Sequence, residues 1–221
     1  MFAVLPAAVL FDMDGTLVDT EQLWWEAVAD VAGRVGYVLG ETDAADVVGH
    51  GIGHTAGYLH EVVAEAPCVH ELTDALDAAF TTRVEARIEP LPGVLALLDG
   101  LSAVGVPLAI VSASPRRVVD LVRDALGSAR FAVTVAAEDV ARTKPDPAPY
   151  LAAATALGVE PSACVAVEDT IVGVTSAEAA GCAVLAVSST TAIASAPGRT
   201  VVASLASIEA GDLGKSPVPQ G

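Results

Sequence analysis

Ala7-Ala8-Val9-Leu10-Phe11-Asp12-Met13-Asp14-Gly15-Thr16 is an apolar run that ends in two aspartates one residue apart, with a glycine directly behind them. The run reads as a strand, and side chains at i and i+2 of a strand share a face, so Asp12 and Asp14 point the same way. Gly15 permits the sharp turn that lets backbone N–H groups approach a bound anion. Two neighbouring carboxylates repel each other unless a hard cation lies between them, which implies Mg²⁺. The segment outlines a phosphoryl-transfer site, with Asp12 as candidate nucleophile and Asp14 as candidate acid/base. Taken alone, it also reads as an acidic turn after a strand.

Three later segments supply what such a site needs. Ala109-Ile110-Val111 runs into Ser112-Ala113-Ser114, which puts a hydroxyl at a strand end where it can hold a phosphoryl oxygen without adding charge. Arg142-Thr143-Lys144-Pro145-Asp146-Pro147 carries Lys144, one of two lysines in the chain, the other being Lys215. The prolines favour a helix start, whose N-terminus adds positive potential near Lys144. Ala163-Cys164-Val165-Ala166-Val167 leads to Glu168-Asp169-Thr170, a second carboxylate pair at a strand end. Asp12, the backbone carbonyl of Asp14, Asp169 and Glu168 are the candidate Mg²⁺ ligands, all oxygen donors.

After residue 90 strands and helices alternate as in a doubly wound parallel sheet, giving an α/β, Rossmann-like fold. The pattern predicts helices over 93–103, 115–127, 147–157 and 171–181. Strands are predicted over 107–112, 132–136, 163–168 and 183–187, with one more short strand at Thr200–Ala203. Gly127, Gly158 and Gly181 fall at the helix ends. Residues 20–88 break the alternation and read as helical: Leu23, Trp24, Ala27, Val28, Val31 and Val35 recur at helical spacing, as do Leu72, Ala75, Leu76, Ala79 and Phe80. Trp24 and Trp25 are read as packing residues. The expected division is a core of 1–19 and 89–212, a helical insert of 20–88, and a flexible tail of 213–221.

Asp12-Met13-Asp14-Gly15-Thr16, Ser112, Lys144 in Thr-Lys-Pro-Asp-Pro, and Glu168-Asp169 follow in this order behind apolar runs. Together they resemble the four motifs of the haloacid dehalogenase-like superfamily. Val18-Asp19-Thr20, Pro90-Leu91-Pro92-Gly93-Val94 and Glu168-Asp169-Thr170 resemble the branch of β-phosphoglucomutase and small sugar or polyol phosphate phosphatases. The resemblance implies that residues 20–88 form a cap with hinges near 17–20 and 86–92, whose closure excludes water and selects the substrate. It also implies an aspartyl-phosphate mechanism using Asp12, Asp14, Ser112, Lys144 and Mg²⁺, and makes Thr16 and Ala113, inside the first two motifs, candidate substrate contacts. The loop after Gly49 in such caps carries a basic residue reaching the active site, and His50 occupies that place. Arg116 is a second candidate for holding a distal anionic group.

Absences rank the readings within this family. A dehalogenase does without the second aspartate, here Asp14. A phosphonatase using a cap lysine is excluded because residues 1–143 contain no lysine. A sugar phosphate mutase shares Asp12 and Asp14 but places a histidine on the first cap helix, where this chain has Trp24, and uses a cap lysine. The favoured reading is a Mg²⁺-dependent phosphatase acting on a small phosphorylated metabolite, ahead of the mutase and of a non-catalytic binding module. The cap has few cations (Arg34, Arg83 and Arg87 besides its histidines), which favours a neutral leaving group such as a sugar or polyol. His50-Gly51-Ile52-Gly53-His54 invites a zinc reading, against which the two glycines and the lack of a nearby cysteine argue. His60 and His70 read as surface residues.

A net charge of −17 argues against nucleic acid or an anionic membrane as a partner, and requires Mg²⁺, Lys144 and local arginines to reverse the field at the site. No run approaches a membrane span, and the N-terminal Met1–Leu5 lacks a basic signal-peptide start and reads as part of strand one. The three cysteines fit reduced, buried thiols in a cytoplasmic protein, monomeric or weakly dimeric.

Overall fold

The apolar runs are the strands of one sheet. The computed structural model describes residues 5–48, 50–188 and 192–214. Strand β1 (Ala8–Phe11) is followed by helices α1 (Glu21–Arg34), α2 (Ala44–Val47), α3 (Ile52–Val62), α4 (Val69–Ala86) and α5 (Val94–Ala103). Then come β2 (Leu108–Val111), α6 (Arg116–Leu126), β3 (Val133–Val135), α7 (Ala148–Leu157) and β4 (Cys164–Glu168). Helix α8 (Ile171–Ala179), β5 (Ala183–Val187) and β6 (Arg199–Val202) complete the described chain apart from short 3₁₀ turns.

Among the described residues six strands form a parallel sheet in the order β3-β2-β1-β4-β5-β6. Every residue of β1 and β2 is buried, as a parallel sheet covered on both faces requires. Ala8, Leu10, Ala109, Val111 and Ala166 share a core with Tyr150, Ala153 and Ala154 of α7 and with Val174 and Ala177 of α8. Alanine on both surfaces, set against larger Leu, Val and Tyr, lets the layers interdigitate. Strand β5 is interior, and β6, one residue earlier than the spacing predicts, forms the edge.

Strand β1 lies between β2 and β4, with Phe11 opposite Ile110 on one side and Val167 on the other. In-register parallel neighbours end together, so the residues after β1, β2 and β4 emerge side by side. The chain leaves β1 for neighbours on opposite sides, which makes this the switch point where open α/β sheets bind ligands.

The chain divides into two compact units, one of the described residues up to Val18 and from Pro90 onward, the other Asp19–Glu89. At the crossing Val18 bridges Pro90, and the Leu91 N–H donates to the Leu17 carbonyl at 3.0 Å. The Asp19–Glu89 unit is helical, with α4 packed on both α1 and α3. Helix α1 buries Leu23, Trp24, Ala27, Val28, Val31 and Ala32, while Val35 lies past the last turn, half-buried. Trp24 meets the Phe80 ring edge to face at 5.3 Å, and its indole N–H donates to the Val47 carbonyl at 3.0 Å. Its apolar body and polar handle are thus both used inside this unit. Trp25 is half-buried.

Cys68, expected to be buried, is exposed, whereas Cys164 and Cys182 are buried as free thiols. Cys68 precedes α4 at the helix cap, where its backbone N–H donates to Glu71 at 3.0 Å and its side chain also bonds the Glu71 carboxylate. Of the residues read as strand one, Met1–Val4 lie outside the described residues, and β1 begins at Ala8. Residues 215–221 of the expected tail, including Lys215, also lie outside the described residues. No described helix is long and apolar enough to cross a membrane.

Candidate active site

Asp12 directly follows β1, with its backbone N–H donating to the Val167 carbonyl of β4 at 2.9 Å. Lys144, reached through a cis Lys144–Pro145 bond, brings its ammonium beneath Asp12. It donates to Asp12 Oδ1 at 2.5 Å, Glu168 Oε1 at 2.6 Å and the Val111 carbonyl at 2.9 Å. An ammonium has three protons to donate, and all three are used. The Tyr150 hydroxyl, fully buried on α7, donates to the same Glu168 Oε1 at 2.5 Å. Glu168 Oε1 is therefore shared by Lys144 and Tyr150, while its Oε2 accepts from Thr170 Oγ1 at 3.4 Å. A Cβ on Gly173, in the first turn of α8, would collide with the Glu168 carboxylate.

Asp169 follows Glu168 and accepts a hydrogen bond from Thr16 Oγ1 at 3.3 Å. Gly15 has φ +83°, and a Cβ there would strike the Asp169 carboxylate, so the turn after Asp14 needs glycine for both conformation and room. The Asp14 carboxylate turns toward the end of β2. Its Oδ2 accepts from Ser112 Oγ at 3.1 Å and Ser114 Oγ at 2.7 Å.

Asp12, Glu168 and Asp169 each offer an oxygen within 4.8 Å of the others. Three carboxylates against the Lys144 ammonium leave two negative charges, the amount one divalent cation balances. Asp12 Oδ2 is buried with no hydrogen-bond partner, a costly state for a carboxylate oxygen. Burial drives the Asp12 pKa well above the usual carboxylate range; Lys144 opposes the shift and the neighbouring carboxylates add to it. Burial and the Glu168 charge raise Asp169 to about 7. Burial works against the Lys144 ammonium, yet the Asp12 and Glu168 charges outweigh it and hold its pKa above the ordinary value. The donors are all hard oxygens, one of them orphaned, and the set fits a hard divalent cation.

The structure thus brings together Asp12, Asp14, Thr16, Ser112, Lys144, Glu168 and Asp169, with Ala113 exposed beside them. The Asp14 carboxylate accepts from the two serines, and its charge adds to those that raise the Asp12 pKa. Arg116 is engaged elsewhere: its guanidinium binds Thr134 Oγ1 at 2.6 Å and pairs with Asp139 and Asp120. His50 stands in the other unit, exposed, its ring stacked on His54 at 3.9 Å. His54 faces Asp46 at 3.9 Å.

Sequence reading missed Ser114, Tyr150 and Gly173. Ser114 lies two residues past Ser112 in the bend after β2, where its backbone N–H folds back onto Ser112 Oγ, a turn that serine at this spacing favours. Tyr150 reads as one more apolar position of α7, and nothing in its spacing to Glu168 betrays the contact.

A profile of the haloacid dehalogenase-like hydrolases matches residues 6–181. Hexitol phosphatase A of Escherichia coli (strain K12) is 39% identical over 180 residues, 80% of this chain and 81% of that protein. Validoxylamine A 7'-phosphate phosphatase of Streptomyces hygroscopicus subsp. limoneus is 32% identical over 182 residues, 78% of this chain and 81% of that protein. The crystal structure of CbbY from Rhodobacter sphaeroides in complex with phosphate shares the fold, with a TM-score of 0.80 at 24% identity over 92% of this chain and 96% of that one.

Proposed function

The chain belongs to the haloacid dehalogenase-like hydrolase family, and from that premise we propose that it is a Mg²⁺-dependent phosphatase of small phosphomonoesters, sugar or polyol phosphates. The observation that carries the reading is the buried Asp12, paired through one oxygen with Lys144 and left without a partner on the other. A nucleophile needs such an oxygen, and a structural carboxylate does not. The relatives add the substrate class, since those reported above are named for phosphatases of a hexitol and of validoxylamine A 7'-phosphate.

Asp12 attacks phosphorus in line, and Asp14 gives its proton to the leaving oxygen. Asp14 then takes a proton from the water that hydrolyses the aspartyl phosphate. Lys144 holds Asp12 in place and offsets phosphoryl charge, while Ser112 offers a hydrogen bond to a phosphoryl oxygen. A Mg²⁺ ion would be held by Asp12 and Asp169, with the Asp14 carbonyl and Glu168 as further candidate oxygen donors, and would supply charge neutralisation for the phosphoryl group. Glu168 serves mainly to fix Lys144.

The Asp19–Glu89 unit is assigned substrate selection as a cap, with His50 its candidate contact. Arg34 and Arg83 pair with Asp30, and Arg87 pairs with Glu26 and Glu89. Cap arginines already matched to carboxylates support a neutral leaving group over a bisphosphate. Trp24, at the place of the mutase histidine, is consumed by packing, which supports hydrolysis over isomerisation.

The test is phosphate release with and without Mg²⁺ across sugar, polyol and nucleotide monophosphates, with Asp12→Asn as control. Mg²⁺-dependent release on a few related polyol or sugar phosphates, lost in the control, is expected. Release that survives Asp12→Asn removes the nucleophile assignment. Altered selectivity in His50→Ala would support its place in recognition.

A further inference from the structure

A serine hydroxyl has one proton to donate. Ser112 Oγ spends its proton on Asp14 Oδ2 at 3.1 Å and accepts the Ser114 N–H at 2.9 Å. Ser114 Oγ donates to the same Asp14 oxygen at the shorter distance of 2.7 Å. The Ser114 backbone is held on both sides, its N–H by Ser112 Oγ and its carbonyl by the Ala137 N–H at 3.1 Å. Pro115 and the start of α6 follow at once, so the serine side chain leaves a fixed backbone.

These facts set a conflict that the reaction must resolve. Ser112 cannot direct one proton to Asp14 and to a transferring phosphoryl oxygen together. We propose that Ser114 is the positioning residue of the acid/base: it keeps hold of Asp14 Oδ2 through the cycle, which frees the Ser112 proton for the phosphoryl group. The inference rests on the phosphatase reading above and assigns a task to a residue that reading leaves idle.

The chemistry says where its loss is felt. In the first half-reaction an Asp12 oxygen bonds to phosphorus as the bond to the ester oxygen breaks, and that oxygen keeps the electron pair and takes the Asp14 proton. In the second, water oxygen bonds to phosphorus, the Asp12–phosphorus bond breaks, and Asp14 recovers a proton from the water. An alkoxide is a poor leaving group and depends on the first proton, whereas p-nitrophenolate leaves without it. The ratio kcat/KM covers steps only through the first irreversible one, so it isolates the leaving-group step. The second half-reaction is common to both esters, so kcat falls for both where it limits turnover.

The experiment measures kcat/KM for the wild type, Ser114→Ala and Ser114→Thr. The substrates are p-nitrophenyl phosphate and the polyol phosphate that the wild type turns over fastest. Ser114→Ala is expected to lower the polyol phosphate value about tenfold more than the aryl value, the scale of one hydrogen bond to a charged group. Ser114→Thr, which keeps the hydroxyl, is expected to restore most of that difference. An equal loss on both esters, or no change, overturns the proposal, since a merely structural defect does not sort substrates by leaving group. A wild type that hydrolyses neither ester overturns the phosphatase reading itself, and the Ser114 assignment with it.

Discussion

Asp12 and Asp43 are both buried aspartates, one at the end of β1 and the other in the Asp19–Glu89 unit, yet their surroundings are opposite. Asp43 is fully matched: Oδ1 accepts from the hydroxyls of Tyr37 (2.8 Å) and Tyr58, and Oδ2 from the Gly40 N–H at 2.6 Å. The Tyr58 hydrogen bond, with those of Gly40 and Tyr37, holds its pKa below the ordinary carboxylate value. Asp12 is matched on one oxygen only, and burial drives its pKa up. Burial alone does not mark a functional carboxylate. An unmet need inside a site does, because evolution of stability alone would have filled it.

The comparison breaks first at Asp12→Asn. Turnover is expected to fall by at least about 10⁴-fold, the scale of losing a catalytic nucleophile. The metal-free protein is expected to stay folded, with a lowered melting temperature from the lost ion pair, since the amide oxygen still accepts from Lys144, which also keeps Glu168 and the Val111 carbonyl. Initial-rate assays and a thermal melt on the same preparation check both. Unfolding of Asp12→Asn would make Asp12 a structural residue like Asp43. Asp43→Ala is expected to behave in reverse. It strands two tyrosine hydroxyls and a backbone N–H, at a cost of about 2–3 kcal/mol by chemical denaturation. The folded fraction should keep kcat on its best substrate within about twofold. A loss of activity beyond that in folded Asp43→Ala would move the carboxylate into the reaction's machinery.

The two sites also differ in how far the sequence announced them. Asp12, Ser112 and Asp169 could be read because each ends an apolar run, and parallel strands in register deliver their carboxyl ends to one edge. Lys144 stood out as one of two lysines in an acidic chain. The contacts that tune the site could not be read. Tyr150 sits on the apolar face of α7 and differs from a core aromatic only by one oxygen, whose partner lies 18 residues away on β4. Gly173 looks like any small residue in a helix until the Glu168 carboxylate is placed against it. Asp43 was silent altogether, because Tyr37 and Tyr58 reach it across irregular spacings that no strand or helix period encodes. Cys68 shows the converse error, where an apolar residue type was read as buried although its place at a helix cap exposes it.

Titration sharpens the contrast at a smaller scale. Asp169 has its folded pKa raised to about 7, above its unfolded value, and Asp12 is shifted in the same direction. Stability from such groups is fully present below the unfolded pKa and is lost as pH rises through the folded one. The window therefore runs from about pH 4 to about pH 7, where the metal-free native protein holds protons that the unfolded chain has released. Asp43 has the opposite sign, its stabilisation being lost only as pH falls below about 4. On the proposed metal reading, a divalent cation would take the place of the protons at Asp12 and Asp169. The rise in melting temperature on adding Mg²⁺ should accordingly be larger at about pH 8 than at about pH 5.5. A rise that is equal at both would detach the cation from these carboxylates.

The smallest expected effect comes from removing one hydroxyl on each side of the comparison. Tyr150→Phe takes a donor from Glu168, and Tyr37→Phe takes one from Asp43. In neither case is the carboxylate abandoned, since Lys144 still holds Glu168 and Tyr58 and Gly40 still hold Asp43. Each change is therefore expected to cost about 1 kcal/mol of stability, the net value of one hydrogen bond. Their effects on turnover should differ. Glu168 is the second anchor of the ammonium that fixes Asp12, so Tyr150→Phe lets Lys144 and Asp12 shift together and should lower kcat by about three- to tenfold with KM little changed. Tyr37→Phe relaxes a carboxylate that anchors no reacting group, and kcat should stay where it is. Equal kcat values for the two variants would mean that the Tyr150 hydroxyl, like that of Tyr37, does nothing but fill a buried acceptor.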